Sequence, residues 1–200
     1  MLKPKTLFLI PLIVILVLAG LFSFAFFDRR MESDPDELRS MANMAQTSPG
    51  QSAQNKSLIG MPVPDFVLPG IDPRHADLSS DDLKHGQVVV VNFFASWCVP
   101  CKAEMPVLKK LAVEHGITVH GIAMNDKAEK IQKMLKDYGD PFSRIGLDKE
   151  MMIAVEWGIL GAPETYVITG EGKIAYRHIG PLTDKHIPSI LKVIRKEQIS

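Results

Sequence analysis

Cysteine is nearly absent from this chain: its 200 residues hold two, Cys98 and Cys101, separated by Val99 and Pro100. Two cysteines cannot build a multi-disulfide framework of the kind that staples small secreted domains. Nor can they make a zinc site of their own, which needs four ligands. The six histidines (His75, His85, His115, His120, His178 and His186) are scattered and show no paired spacing that would supply the missing two. Excess charge of either sign is also lacking, with 23 Lys and Arg against 23 Asp and Glu. That balance gives no electrostatic case for nucleic acid or for an acidic substrate. Internal repeats are absent too. What remains is a chain 46% apolar, enough for a buried core, and long enough for one domain with additions.

One long apolar stretch stands at the start. Lys3 and Lys5 precede an uncharged run from Leu7 to Phe27, closed by Asp28, Arg29 and Arg30. Its length of about 21 residues matches the roughly 20 that carry a helix across a bilayer. A cleaved secretory signal has a shorter apolar part and a small-x-small site, which Ser23-Phe24-Ala25 fits only loosely. The uncleaved membrane anchor, residues 1–27, is the better reading. Lys3 and Lys5 place the amino terminus inside, Arg29 and Arg30 oppose this, and the positive-inside rule gives a weak preference. Residues 28–57 are polar and poor in aromatics, with Thr47-Ser48-Pro49-Gly50-Gln51-Ser52 near the end. They read as a flexible spacer. Met31, Met41 and Met44 within it are soft potential copper ligands, but a methionine-bearing linker is the plainer account.

The pattern from 58 to 200 predicts an α/β domain. Asp65 to Leu68 reads as an edge strand, and Ser79 to Lys84 as one helical turn capped by Ser79. Val88 to Phe94 is the strongest strand, apolar on both sides and so central. A helix from Cys98 to Glu114 follows, kinked at Pro106 and stopped by Gly116. Thr118 to Ala123 is a second buried strand, and Asp126 is expected to cap the next helix. There Ile131, Met134, Leu135 and Tyr138 share one face. Ser143 to Leu147 is a short strand, and Glu150 to Trp157 a short helix ended by Gly158. Thr165–Thr169 and Lys173–Ile179 form a hairpin across Gly170-Glu171-Gly172. Thr183 opens a last turn, with Ile187, Ile190, Leu191 and Ile194 on the inner face of the final helix. The order β-α-β-α-β-α-β-β-α gives helices over a mixed central sheet.

The cysteine pair follows the strongest strand and opens a helix, and that position carries more weight than its spacing. Thiol exchange needs a thiolate. A helix N-terminus presents free N–H groups and partial positive charge, which favour the thiolate of the first cysteine. Pro100 suits the first helical turn. A metal site or an inert staple remains open on spacing alone; redox exchange is favoured by context.

The run Phe93-Phe94-Ala95-Ser96-Trp97-Cys98-Val99-Pro100-Cys101 resembles the active-site segment of thioredoxin-like proteins. Gly161-Ala162-Pro163-Glu164-Thr165 resembles their cis-proline loop. The likeness narrows over about 58–182 to the membrane-anchored thioredoxins of cytochrome c maturation, the CcmG/DsbE group. Ile59 to Phe66, Glu104, Glu156-Trp157-Gly158 and Tyr176 to Thr183 carry it. The resemblance implies a thioredoxin-like fold, a redox-active Cys98–Cys101 disulfide, and a cis Pro163 facing it. Trp97, Pro100, Ala162 and Pro163 are then expected to bind substrate. It also implies an enzyme on the periplasmic side of a bacterial inner membrane. That enzyme reduces apocytochrome c disulfides and is recharged by a membrane donor of the DsbD/CcdA type. No cofactor, metal or nucleic acid is expected. Thioredoxins proper carry a buried aspartate where this chain has Asn92. Proton exchange with Cys101 is therefore expected to fall to Glu104 and Glu164, so that Cys98, Cys101, Glu104 and Glu164 form the catalytic set. Alternatives are a general extracytoplasmic reductant, a thiol peroxidase, or a copper-binding module.

Overall fold

The computed structural model describes residues 58–159 and 161–199. The anchor expected over 1–27 and the spacer over 28–57 lie outside the described residues. Among the described residues no helix is long and apolar enough to cross a membrane.

Seven strands and four α-helices follow one another in the described chain. A two-stranded arm comes first, β1 (Val67–Leu68) paired antiparallel with β2 (Leu78–Ser79). A 3-10 turn at Asp81–Leu83 follows; its N-cap is Ser80 and not Ser79 as expected, although Ser79 Oγ accepts from Asp82 N at 3.4 Å. The body runs β3 (Val89–Phe94), α1 (Val99–Lys109), β4 (Val119–Met124), α2 (Ala128–Tyr138) and β5 (Arg144–Asp148). It continues through α3 (Met152–Glu156), β6 (Glu164–Ile168), β7 (Ile174–Ile179) and α4 (Ile187–Ile199). The sheet order is β5-β4-β3-β6-β7, with β3, β4 and β5 parallel and β6 and β7 antiparallel to their neighbours.

The alternation of side chains along the strands divides the core in two. Val90 and Phe94 of β3 face a cluster built from α1, α2 and α4, which includes Met105, Leu108, Ile131, Ile190 and both cysteines. Val89, Val91 and Phe93 face the opposite cluster, which holds Leu68 and Leu78 of the arm, Ala154 of α3, and Trp157 and Tyr166. The apolar run of β3, broken only by Asn92, is thus explained: all six residues are buried, as a central strand covered on both faces requires. On β5, a Cβ at Gly146 would come within 2.8 Å of Leu68 Cβ, so only glycine lets the arm lie this close.

Three local expectations need amending. Pro106 lies inside a helix that runs unbroken from Val99 to Lys109, and the departure comes later, where the chain passes into a π-turn at Lys110–Glu114 with His115 N bonded to Lys110 O. Tyr138, placed on the apolar face of α2 by spacing, is 49% exposed and lies with Lys102 Nζ 5.8 Å from its ring centre. It is the last residue before Gly139, where the chain turns away at φ +94°. Asp126 does not cap α2; Lys127 holds that position and the Asp126 carboxylate points to Ser96.

Candidate active site

Cys98 stands where β3 hands over to α1. The turn is closed by Cys98 N donating to Ala95 O at 3.2 Å. Cys98 has extended backbone angles and is the N-cap of α1, its Sγ accepting from Cys101 N at 3.2 Å. The two sulfurs form a disulfide with Cα atoms 5.3 Å apart. Cys98 keeps 5% of its surface and Cys101 none, so an incoming partner meets Cys98 first. No acidic residue lies in the first turn of α1, and Pro100 sits there as expected. The helix end therefore offers its partial positive charge to a Cys98 thiolate unopposed from within the turn.

Around the sulfurs, Trp97 is 57% exposed, and its indole N–H is spent on Asn125 O at 3.2 Å. Val99 is also exposed, at 72%. The Ala162–Pro163 peptide bond is cis. Antiparallel pairing of Phe93 with Glu164 sets Pro163 level with Phe94, at the end of the sheet from which Cys98 emerges. Ala162 packs against the cluster that contains both cysteines.

The two glutamates expected to serve Cys101 are both fully buried, but they lie on different faces of the sheet. Glu104 is one turn beyond Cys101 on the inner side of α1. Its Oε1 accepts from Asn92 Nδ2 at 3.0 Å and its Oε2 from Leu182 N at 2.8 Å. Asn92 Nδ2 also reaches Thr165 Oγ1 at 3.1 Å. Burial raises the Glu104 carboxyl to about 7, against the pull of the Leu182 and Asn92 donors. A carboxyl in that range holds or yields a proton at neutral pH. Glu164 leaves β6 on the opposite face. Its Oε2 accepts from Arg177 Nε at 2.9 Å and Tyr166 OH at 3.1 Å, with Arg177 Nη2 at 2.8 Å. Arg177 Nη2 also donates to Gly158 O at 3.0 Å, tying the turn after α3 to the proline loop.

Sequence reasoning singled out Asn92 only as a departure from a pattern. A lone amide in an apolar strand was the available sign, since a buried amide must find partners. Tyr166, Thr165 and Leu182 carried no such sign, and Arg177 only that of a charged residue in a half-buried strand. The histidines, scattered in the chain, are partly brought together: the rings of His178 and His186 lie 4.2 Å apart. Burial, and then His186, lower the His178 pKa. Among the described residues no group of three or more His, Cys, Asp or Glu is arranged to hold a metal ion.

A buried strand delivering an N-capping cysteine, a shielded second cysteine one turn on and a cis-proline loop beside them define a thioredoxin-fold thiol–disulfide oxidoreductase. The chain matches the Redoxin family over residues 58–194. It is 32% identical over 194 residues to the thiol:disulfide interchange protein DsbE homolog of Paracoccus denitrificans, covering 94% of this chain and 96% of that one. The identity to DsbE of Escherichia coli K12 is 34% over 177 residues, 88% of this chain and 86% of the relative. Among solved structures, a Chlorobium tepidum chain described as a DsbE thiol:disulfide interchange protein superposes with a TM-score of 0.61. Its sequence is 25% identical, over 70% of this chain and 97% of that one. The chain belongs to the Redoxin family and, within it, to the CcmG/DsbE group of thiol:disulfide interchange proteins.

Proposed function

We propose that this protein is a periplasmic reductant of apocytochrome c, tethered to a bacterial inner membrane by residues 1–27. In this reading it frees cysteine thiols for haem attachment and is re-reduced by a membrane donor of the DsbD/CcdA type. The Cys98 thiolate attacks one sulfur of the partner disulfide, forming a mixed disulfide and releasing the other sulfur as a thiolate that takes up a proton. Cys101 then passes its proton toward Glu104 and attacks Cys98 Sγ. The partner leaves with both thiols, and the protein leaves as the Cys98–Cys101 disulfide. Two electrons pass to the partner, and the donor restores them. Glu164 is a positioning residue in this scheme, its charge pair with Arg177 fixing the loop that carries Pro163. Trp97, Pro100, Ala162 and Pro163 form the rim against which the partner chain lies.

The observation that carries the reducing step is Glu104: a buried carboxyl at about 7, one turn from the shielded sulfur. An oxidising compartment makes continual recharging necessary, which supports an amino terminus inside and a domain outside. Likeness to the DsbE relatives supports the apocytochrome partner. The test is a Cys101→Ser trap in cells making c-type cytochromes. Apocytochrome c held on Cys98 as a mixed disulfide is the expected product. Recovery of unrelated envelope proteins in its place assigns the domain to general reduction and overturns the cytochrome reading.

A further inference from the structure

We infer that Asp126 is a positioning residue for Cys98, and that its charge helps to set how strongly the protein reduces. This rests on the thiol–disulfide chemistry alone and holds whatever the partner. The loop between β4 and α2 brings Asp126 in front of the turn that feeds Cys98. Oδ2 accepts from Ser96 N at 2.5 Å, and Oδ1 accepts from Ser96 Oγ at 3.0 Å and from Lys127 N at 2.8 Å. Asp126 is only 9% exposed. A carboxylate is the one side chain of this size that accepts on both oxygens without offering a donor in return.

The neighbouring residue continues the brace. Asn125 takes the Trp97 indole N–H on its carbonyl, at a left-handed φ of +43° that asparagine tolerates better than most residues. Its own N–H donates to Asp148 O at 2.9 Å, and the Asp148 carboxylate accepts from Ala154 N at 2.8 Å. A line of hydrogen bonds thus runs from α3, through the end of β5 and Asn125, to Trp97, and the next residue in the chain, Asp126, holds Ser96. The Asp126 carboxylate in this brace, two residues from Cys98 through Ser96, opposes ionisation of Cys98. The N-terminus of α1 acts in the other direction. A less stabilised thiolate makes a stronger reductant. Lys127, Lys130, Lys149, Glu129 and Glu150 border the adjoining cleft, with Lys102 and Glu104 on α1. These charges stay in place when Asp126 is changed.

The experiment compares Asp126→Asn, Asp126→Ala and Ser96→Ala in the full-length chain. The Cys98 pKa is read from the pH dependence of alkylation, and the redox equilibrium from titration against glutathione. Asp126→Asn should lower the Cys98 pKa by a few tenths of a unit to about one unit. The equilibrium should move toward the reduced form, by up to about tenfold for a full unit. Ser96→Ala keeps the charge and should move both much less. A purely bracing role would lower the melting temperature of all three and leave pKa and equilibrium at the parent values. That result in any folded Asp126 variant overturns the proposal, and Asp126→Ala decides it if the asparagine variant does not fold. The readout uses no cytochrome, so failure of the apocytochrome reading leaves it standing.

Discussion

Glu104 and Glu164 are equally buried, on opposite faces of the same sheet, yet they are held by opposite means. Glu104 meets only neutral donors, an amide side chain and a backbone N–H. Glu164 meets a guanidinium through Nε and Nη2. Neutral donors repay only part of the cost of burying charge, so Glu104 keeps its proton up to about 7. A guanidinium supplies the opposite charge that lets a buried carboxylate remain ionised. One position is therefore suited to moving a proton and the other to holding a loop. A glutamate in the sequence does not reveal which; the nature of its donors does.

Removing the guanidinium is the harshest way to break that difference. Arg177→Met takes the guanidinium away from a buried carboxylate that still accepts from the Tyr166 phenol. The expected loss is about 3–5 kcal/mol in denaturant unfolding. Adding Glu164→Leu to Arg177→Met should recover a substantial part of it, since an apolar replacement of both partners removes the buried charge that has lost its guanidinium. If the double variant is no more stable than Arg177→Met, the pair is not what fixes this region.

Glu104 should show itself through pH. Free glutamate titrates near 4.5 and Glu104 near 7. A raised pKa means that its contribution is complete below pH 4.5 and is lost as pH rises through 7. Over that interval the loss amounts to about 3 kcal/mol. His120, buried in β4, runs the other way. Burial holds it down to about 4, with Arg144 adding to the effect and Asp82 opposing it. Its contribution is complete above pH 6.5 and is lost as pH falls through 4. The two slopes oppose each other between about 4.5 and 6.5, so the oxidised protein should be nearly flat there. Glu104→Gln should leave stability rising with pH in that window, and His120→Leu should leave it falling. Parallel, flat curves in all three proteins would remove the titration assigned to Glu104. The same Glu104→Gln change should flatten the pH dependence of disulfide exchange near neutrality.

Much of this is legible in the sequence. The apolar run Val88–Phe94 had to be a central strand, and Cys98 after it had to stand at a helix start. Those two facts place the reactive sulfur. Local patterns also located the Gly170-Glu171-Gly172 hairpin and the inner face of α4. What escaped were pairings made across the fold. Asp126 looked like a cap because it precedes a helix, and nothing local showed that Ser96 would claim its oxygens. Tyr138 fitted a helical stripe, but the stripe runs out one residue before the chain turns. Glu164 and Arg177 meet because β6 and β7 pair, with Thr165 opposite His178. A charged residue in a half-buried strand was the one hint of such a partner.

The smallest predicted effect separates the two glutamates most finely. Thr165 neighbours Glu164 in sequence but faces the Glu104 side, where its Oγ1 accepts from Asn92 Nδ2. Thr165→Val keeps the shape and removes that acceptor. Asn92 keeps its bond to Glu104, and one buried N–H loses a partner, at a cost of about 1 kcal/mol. The loss should be the same at every pH, because the amide and not the carboxyl has been deprived. A curve lowered in parallel would show that Thr165 orients Asn92 and no more. A midpoint displaced from about 7 would show instead that Thr165 reaches Glu104 through the amide. Asn92 would then be part of the machinery that tunes the proton, in the place where thioredoxins proper keep an acid.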